Sequence, residues 1–169
     1  MKNDRIQKYT KLHYLFLVGM FLFLAFALVG CNSKQLPFEF VDGEKAVVVL
    51  VRNVDSGTYQ VQYNGDQPAQ IQNLQTMIAG QILHVDVQSV NLRLGDQAVT
   101  LVNNNVPEGE NFVVQPGEIL SIDVTYLGQS IGYNYLHGFR ITYSANGESI
   151  TQDATDPEQP DYQYLIDVE

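Results

Sequence analysis

The sequence predicts an all-β fold, a two-sheet antiparallel β-sandwich, with a small β-barrel as the alternative closure. Three observations carry this expectation. Apolar and polar residues alternate in short segments, turn residues recur every 8 to 15 positions, and no stretch sustains a helical repeat. Eight or nine short strands are expected, and residues 38–151 are assigned to the domain.

Residues 45–53 contain Ala-Val-Val-Val-Leu-Val, a β-branched run short enough for a buried strand. Tyr59, Val61 and Tyr63 alternate with Thr58, Gln60 and Gln62, as in a strand with one wet face. Asn64-Gly65 then predicts a hairpin turn, because both residues tolerate positive φ. Leu83, Val85 and Val87 fall on odd positions and Val90, Leu92 and Leu94 on even ones, so a bulge or sheet switch is expected near Gln88-Ser89. Gly95-Asp96 reads as a turn into a strand through Val99 and Leu101, followed by a polar loop over residues 103–111. Gln115-Pro116-Gly117-Glu118 suits a type II turn, with proline setting φ and glycine taking the positive-φ corner. Leu120, Ile122, Val124 and Tyr126 alternate beyond it, as do Phe139, Ile141 and Tyr143, and Asn146-Gly147 turns the chain into a strand near Ile150. Residues 152–161 are acidic and proline-containing, which predicts a linker. Residues 162–169 alternate through Tyr162, Tyr164, Ile166 and Val168, which predicts a final strand. That strand is expected to close its own sheet; donation to another protein is the rival arrangement.

The 169 residues suffice for one domain of this kind. Charge divides sharply at Cys31. Lys2, Arg5, Lys8 and Lys11 against Asp4 give +3 before it, and the other five basic residues against eighteen acidic ones give −13 after it. A field of that sign disfavours nucleic acid and anionic lipid headgroups as partners. Cys31 is the single cysteine, so no disulfide forms within the chain.

Residues 1–30 have the layout of a secretory signal: a basic stretch to His13, then residues 14–29 without a charge. That apolar run is short for a spanning helix, which needs about 20 residues. It ends in Leu28-Val29-Gly30-Cys31, which resembles the lipobox of bacterial lipoproteins. The resemblance implies a diacylglyceryl thioether on Cys31, cleavage between Gly30 and Cys31, and acylation of the new amino group. Two or three acyl chains at about 0.8 kcal/mol per buried methylene would hold the protein on the bilayer. Asn32 rather than aspartate follows the cysteine, which by the same resemblance implies the outer membrane in a Gram-negative host. Residues 31–37 are then a short polar tether.

Residues 112–149, with a Val-Gln-Pro-Gly-Glu entry and a Tyr-Ser-Ala-Asn-Gly exit, resemble the later strands of bacterial immunoglobulin-like domains. The implied fold is an immunoglobulin-like sandwich that lacks the disulfide and tryptophan of antibody domains.

Candidate chemistry is sparse. His84 and Asp86 lie two apart, so they share a strand face and could offer two metal ligands, but two ligands at that spacing are common by chance and a solvated polar face is the expected reading. Asp153, Asp156, Glu158 and Asp161 could present oxygens to calcium, yet their order lacks the EF-hand pattern. No nucleophile and base pair with His137 by sequence, so no catalytic residue, metal or cofactor is assigned. Tyr133, Tyr135 and His137, in Gly-Tyr-Asn-Tyr-Leu-His-Gly, are read as an exposed recognition loop, because tyrosine gives large contact area at low entropy cost. The expected function is a non-catalytic, membrane-anchored envelope lipoprotein that presents a β-sandwich to an envelope protein. The alternative is a carbohydrate- or small-ligand-binding module.

Overall fold

The alternating segments become strands, and two sheets divide them. The computed structural model describes residues 36–155 and 164–169. The leader, Gly30, Cys31, most of the tether and residues 156–163 lie outside the described residues, as do Asp156, Glu158, Asp161 and Tyr162. Eleven strands are present among the described residues: β1 (Phe38–Gly43), β2 (Ala46–Val49), β3 (Val54–Tyr63), β4 (Ala69–Ala79), β5 (Val85–Leu94), β6 (Gln97–Thr100), β7 (Phe112–Val114), β8 (Ile119–Gly128), β9 (Gly132–Ala145), β10 (Glu148–Thr155) and β11 (Tyr164–Val168). One sheet runs β1-β3-β8-β5-β6 and the other β2-β11-β9-β4-β7, with β10 also beside β9.

Setting aside β2, β6, β7 and β10 leaves seven strands whose chain order and sheet membership are those of the immunoglobulin-like sandwich: first, second, fifth and fourth in one sheet, third, sixth and seventh in the other. The two sheets do not close on each other, so the barrel alternative is excluded. Alternation fills the space between the sheets with Val61, Leu120, Ile122, Val124, Leu74, Leu136, Ile141 and Ile166, all fully buried. An aromatic cluster occupies the middle: Phe40 stacks on Tyr164 at 4.9 Å, and Phe38 packs on Tyr63 at 4.6 Å. Tyr59 and Tyr126 meet across β3 and β8 through their hydroxyls at 3.0 Å. Burial pushes the Tyr59 phenol up to about 12 and that of Tyr126 well above the usual tyrosine range.

Several expected elements take a different form. Residues 46–49 make an edge strand with alternating burial, because β2 pairs only with β11; that pairing is parallel, so the second sheet is mixed. Asn64-Gly65 closes no hairpin: β3 already has β1 and β8 on its two edges, so the chain crosses to the other sheet to begin β4. The acidic segment begins later than residue 152, since Gln152 to Thr155 belong to β10, where Gln152 is buried and Asp153 is held by Arg140 at 2.7 Å.

Other expectations hold. The bulge is present, with the β5–β8 register jumping between Val87 and Ser89. Gly117 takes φ +84 between β7 and β8, Gly95 takes φ +56 in the β5–β6 hairpin, and Asn146 and Gly147 both take positive φ in a type I′ turn. The final strand pairs internally, with β9 on one edge and β2 on the other, so its main chain has no edge left to donate.

Strand β9 organises the second sheet. One of its edges is shared, with β11 pairing Gly132 to Leu136 and β10 pairing Gly138 to Ala145. The handover falls at a bulge, where Met77 opposes Gly138 and Ile78 opposes Leu136. Asn134 and Leu136 point inward before it, and Phe139, Ile141 and Tyr143 after it, so inward positions change from even to odd. Gly138 is the residue that permits this. Its φ is +140, and an added Cβ would lie 2.1 Å from the Ala154 carbonyl oxygen.

Candidate functional site

Three loops and the C-terminus meet at the end of the sandwich opposite the point where the chain enters β1. The entry end is set by register, since Phe38 pairs Tyr63 at the finish of β3. At the other end, Arg52 N–H donates to the Gly128 carbonyl at 2.8 Å and Gly128 N–H to the Asn53 carbonyl at 3.1 Å, which joins the β2–β3 loop to the finish of β8. Val51 N–H donates to the Glu169 carbonyl at 2.8 Å, and Gln129 N–H donates to that of His84 at 2.7 Å.

A buried amide ties the β4–β5 loop to this cluster. Asn134 is fully buried at the start of β9. Its Oδ1 accepts from the His84 N–H at 2.7 Å and its Nδ2 donates to the Ile82 carbonyl at 2.9 Å, so one side chain replaces the neighbouring strand that this loop lacks. Two glycines make room. A Cβ on Gly80 would lie 2.3 Å from the Asn134 Nδ2, and one on Gly132 would lie 2.4 Å from the His84 ring. Held from below, the loops carry apolar side chains outward: Ile131 is 75% exposed, Ile82 66%, Leu83 59%, and Leu50 and Val54 are exposed beside them. Large apolar side chains are thus exposed on three loops that converge at one end of the sandwich.

Tyr133, Tyr135 and His137 are on β9, not in a loop, because Asn134 and Leu136 alternate inward between them and β11 and β4 pair on either side. They share the outer face of the second sheet. Tyr133 lies in a row with Asp167 and Val48, and Tyr135 in a row with Leu165 and Ala46. Tyr133 is 60% exposed; Tyr135 and His137 are half-buried. Sequence reasoning missed Asn134, Ile82 and Ile131; the apolar residues of the Gln81-Ile82-Leu83 and Ser130-Ile131-Gly132 segments, set among turn residues, were the available signal.

His84 and Asp86 are separately engaged. His84 Nδ1 meets Ser130 Oγ at 2.8 Å, and Gln129 Nε2 donates to the Asp86 carboxylate at 2.7 Å. Among the described residues no group of three or more His, Cys, Asp or Glu is placed to hold a metal ion. The Ser130–His84 pair has a nucleophile beside a base, but no acid orients the imidazole through Nε2 among the described residues, and the Gln129 and Ser130 N–H groups both point to the His84 carbonyl. The geometry is that of a loop clasp.

Two arginines are locked by forked bonds. Arg93 donates to Asp123 at 2.6 and 2.8 Å, and Arg140 to Asp153 at 2.7 and 2.8 Å. Partial burial of Asp123 raises its pKa, but the bonds from Arg93 and Thr58 outweigh it and hold the carboxyl below the usual range. The Arg140 bond holds Asp153 below that range as well.

No protein-family model matches the chain, and no curated protein matches it. Among solved structures it is similar to the PapD-like domain 7 of human CEP192, at 8% identity and TM-score 0.38 over 79% of this chain and 85% of that one. It is similar to part of a family 123 glycoside hydrolase from Clostridium perfringens, at 10% identity and TM-score 0.40, covering 75% of this chain and 23% of the enzyme. The CARDB domain of the PF1109 protein from Pyrococcus furiosus, solved with di-metal ions, matches at 12% identity and TM-score 0.31 over 78% of this chain and 85% of that one. Scores of this size carry no argument about ligand or activity, and the immunoglobulin-like architecture rests on the strand order itself.

Proposed function

We propose that this chain is a bacterial lipoprotein that serves as a non-catalytic interaction module of the cell envelope. Residues 1–30 direct export, cleavage falls between Gly30 and Cys31, and Cys31 carries the lipid. The observation that carries the anchor is Leu28-Val29-Gly30-Cys31 at the end of an uncharged apolar run. With Asn32 next, a Gram-negative host would sort the protein to its outer membrane. The tethered end of the domain enters at Leu36, and the exposed loops with Ile82, Leu83 and Ile131 lie at the far end. An anchor at Cys31 together with apolar side chains exposed on converging loops suits a domain that binds a second envelope protein. The charge of −13 beyond the leader favours a partner whose contact surface is apolar with a neutral or basic surround.

The test is membrane fractionation and N-terminal mass analysis of the native protein and Cys31→Ala, followed by crosslinking in intact cells. Native protein should sediment with membranes and carry a lipidated Cys31 as its first residue. Unchanged membrane association of Cys31→Ala would remove the anchor. A crosslinked partner should be lost when Ile82 and Ile131 are both changed to serine, and its retention would remove the loop end from the interface.

A further inference from the structure

A cleft lies between β5 and the segment that follows β6, and its chemistry differs from that of the loop end. Strand β6 finishes at Thr100, and after the Leu101 N–H donates to the Val90 carbonyl the chain leaves β5. It turns through Asn103 (φ +50) and Asn104 (φ +67), with Val102 and Asn105 exchanging main-chain bonds at 2.9 and 3.0 Å, as in a type I′ turn. The turn then docks on the other sheet, where Leu74 N–H donates to the Asn104 carbonyl at 2.9 Å and Val106 N–H to the Gln72 carbonyl at 2.9 Å. Between this bridge and the β5 bulge lies a cleft of about 280 Å³, lined by Gln88, Ser89, Asn103 and Asn104 together with Val87 and Leu101.

The polar side chains of this wall are unused. Gln88 is the bulged residue, skipped in the pairing with β8. Nearby Asn73 and Asn105 bond to each other at 3.0 Å, whereas the side chains of Gln88, Ser89, Asn103 and Asn104 have no hydrogen-bond partner among the described residues. No charged residue lines the cleft, in a chain with nineteen carboxylates. Amides and a hydroxyl offer donors and acceptors in equal measure. An anion would find no cation there, and a cation no carboxylate.

We propose that the cleft between the β5 bulge and the Asn103-Asn104 turn binds a neutral, hydroxyl-bearing ligand of about the size of one sugar ring. The amides of Gln88, Asn103 and Asn104 and the Ser89 hydroxyl bond its hydroxyls, and Val87 and Leu101 supply apolar contact. Its volume is at the small end of ligand pockets, which suits one ring of a free sugar or of an envelope glycan. Main-chain bonds anchor the turn to both sheets, so the backbone that carries the Asn103 and Asn104 side chains is held in place before the ligand arrives.

The test uses the full chain as the cell produces it, isotope-labelled, in a detergent without sugar groups. It is titrated with methyl glucopyranoside and methyl N-acetylglucosaminide, with acetate and tetramethylammonium as charged comparators. Expected are saturable shifts of the Gln88, Asn103 and Asn104 signals by the glycosides, with a Kd on the order of millimolar. The variant with both Asn103→Gly and Asn104→Gly keeps the positive-φ corner and removes both amides, so it should bind at least about tenfold more weakly while its core signals are unchanged. Absence of shifts with either glycoside, equal titration of the glycine variant, or equal shifts from the charged comparators would overturn the proposal. Sedimentation with insoluble peptidoglycan, competed by the glycoside, assigns the glycan polymer as the source; glycoside binding without sedimentation assigns a free sugar. None of these results depends on Cys31, so the lipid anchor stands or falls separately.

Discussion

The two halves of β9 are made of the same alternating strand and serve different ends. From Gly132 to Leu136 the strand pairs with β11 and sends one buried polar side chain, Asn134, to hold a loop. From Gly138 to Ala145 it pairs with β10, and the buried polar side chain on that side, Gln152, holds a strand of the opposite sheet: its Oε1 accepts from the Phe38 N–H at 3.1 Å and its Nε2 donates to the Phe38 carbonyl at 2.6 Å. Each amide clamps main chain by one accepted and one donated bond. The difference is what they clamp. Gln152 closes the seam between the sheets and belongs to the stability of the domain, whereas Asn134 sets the display of Ile82 and Leu83. A buried amide is therefore a poor guide to function until the main chain it holds is known.

The largest expected effect is at the joint. Gly138→Ala drives a Cβ against the Ala154 carbonyl and forces alanine to positive φ, and the expected loss is about 4 kcal/mol by denaturant unfolding, from the sum of overpacking and backbone strain. A loss below 1 kcal/mol would mean that the two halves need no hinge between them. Gln152→Ala removes both bonds to Phe38 and should cost about 3 kcal/mol, with the same loss of protection in β1 as in β10 by hydrogen exchange. If β1 keeps its protection, the seam is closed by packing alone. Asn134→Ala should cost about 2 kcal/mol, and its signature is local: exchange at Ile82 and His84 accelerates while Phe38 remains protected. Equal acceleration at both places would mean that Asn134 and Gln152 support the same cooperative unit. Tyr133→Ser, on the exposed outer face, should change stability by less than about 0.5 kcal/mol and act on partner capture instead.

The smallest effect is electrostatic and separates the halves by pH. Asp153 on β10 is held below its ordinary value of 3.8 by Arg140 in the second half of β9, so the unfolded chain takes up that proton at a higher pH than the folded one. The stabilisation is present above the unfolded value and is lost as pH falls from there through the folded one. Acid melting of Asp153→Asn should show a shallower decline below about pH 4 than the native protein, to the extent that an exposed pair allows. An identical decline would show that the pair adds nothing to the second half.

Much of the strand pattern is legible locally, because period-two alternation depends on one buried face and nothing more. The phase change at Gln88 reads correctly for that reason: a bulge shifts the parity of apolar positions within one segment. The same shift at Gly138 is written in Leu136, Phe139 and Ile141 and was obscured by the two tyrosines and a histidine, whose amphipathic side chains suit either a sheet face or a loop. The hairpin expected at Asn64-Gly65 fails because turn residues state only that the chain bends. Whether a bend joins neighbours in one sheet or crosses to the other depends on which strands already occupy the edges of β3, and β8 follows it by more than fifty residues. Asn134 and Gln152 were invisible as clamps, since their partners lie 50 and 114 residues away in sequence.

By itself the sequence determined the all-β class, the positions of most strands, the positive-φ turns at Gly95, Gly117 and Asn146-Gly147, the net acidic charge and the lipobox resemblance at Cys31, because each is read from composition or from residues within a few positions of one another. Only the tertiary structure decided that β2 runs parallel to β11, that β9 is shared between two partners at Gly138, that Asn134 displays a loop while Gln152 closes a seam, and that Gln88 faces Asn103 and Asn104 across a cleft. Those are facts about which distant segments meet, and meeting is settled by the joint packing of two sheets, to which no single segment holds the information.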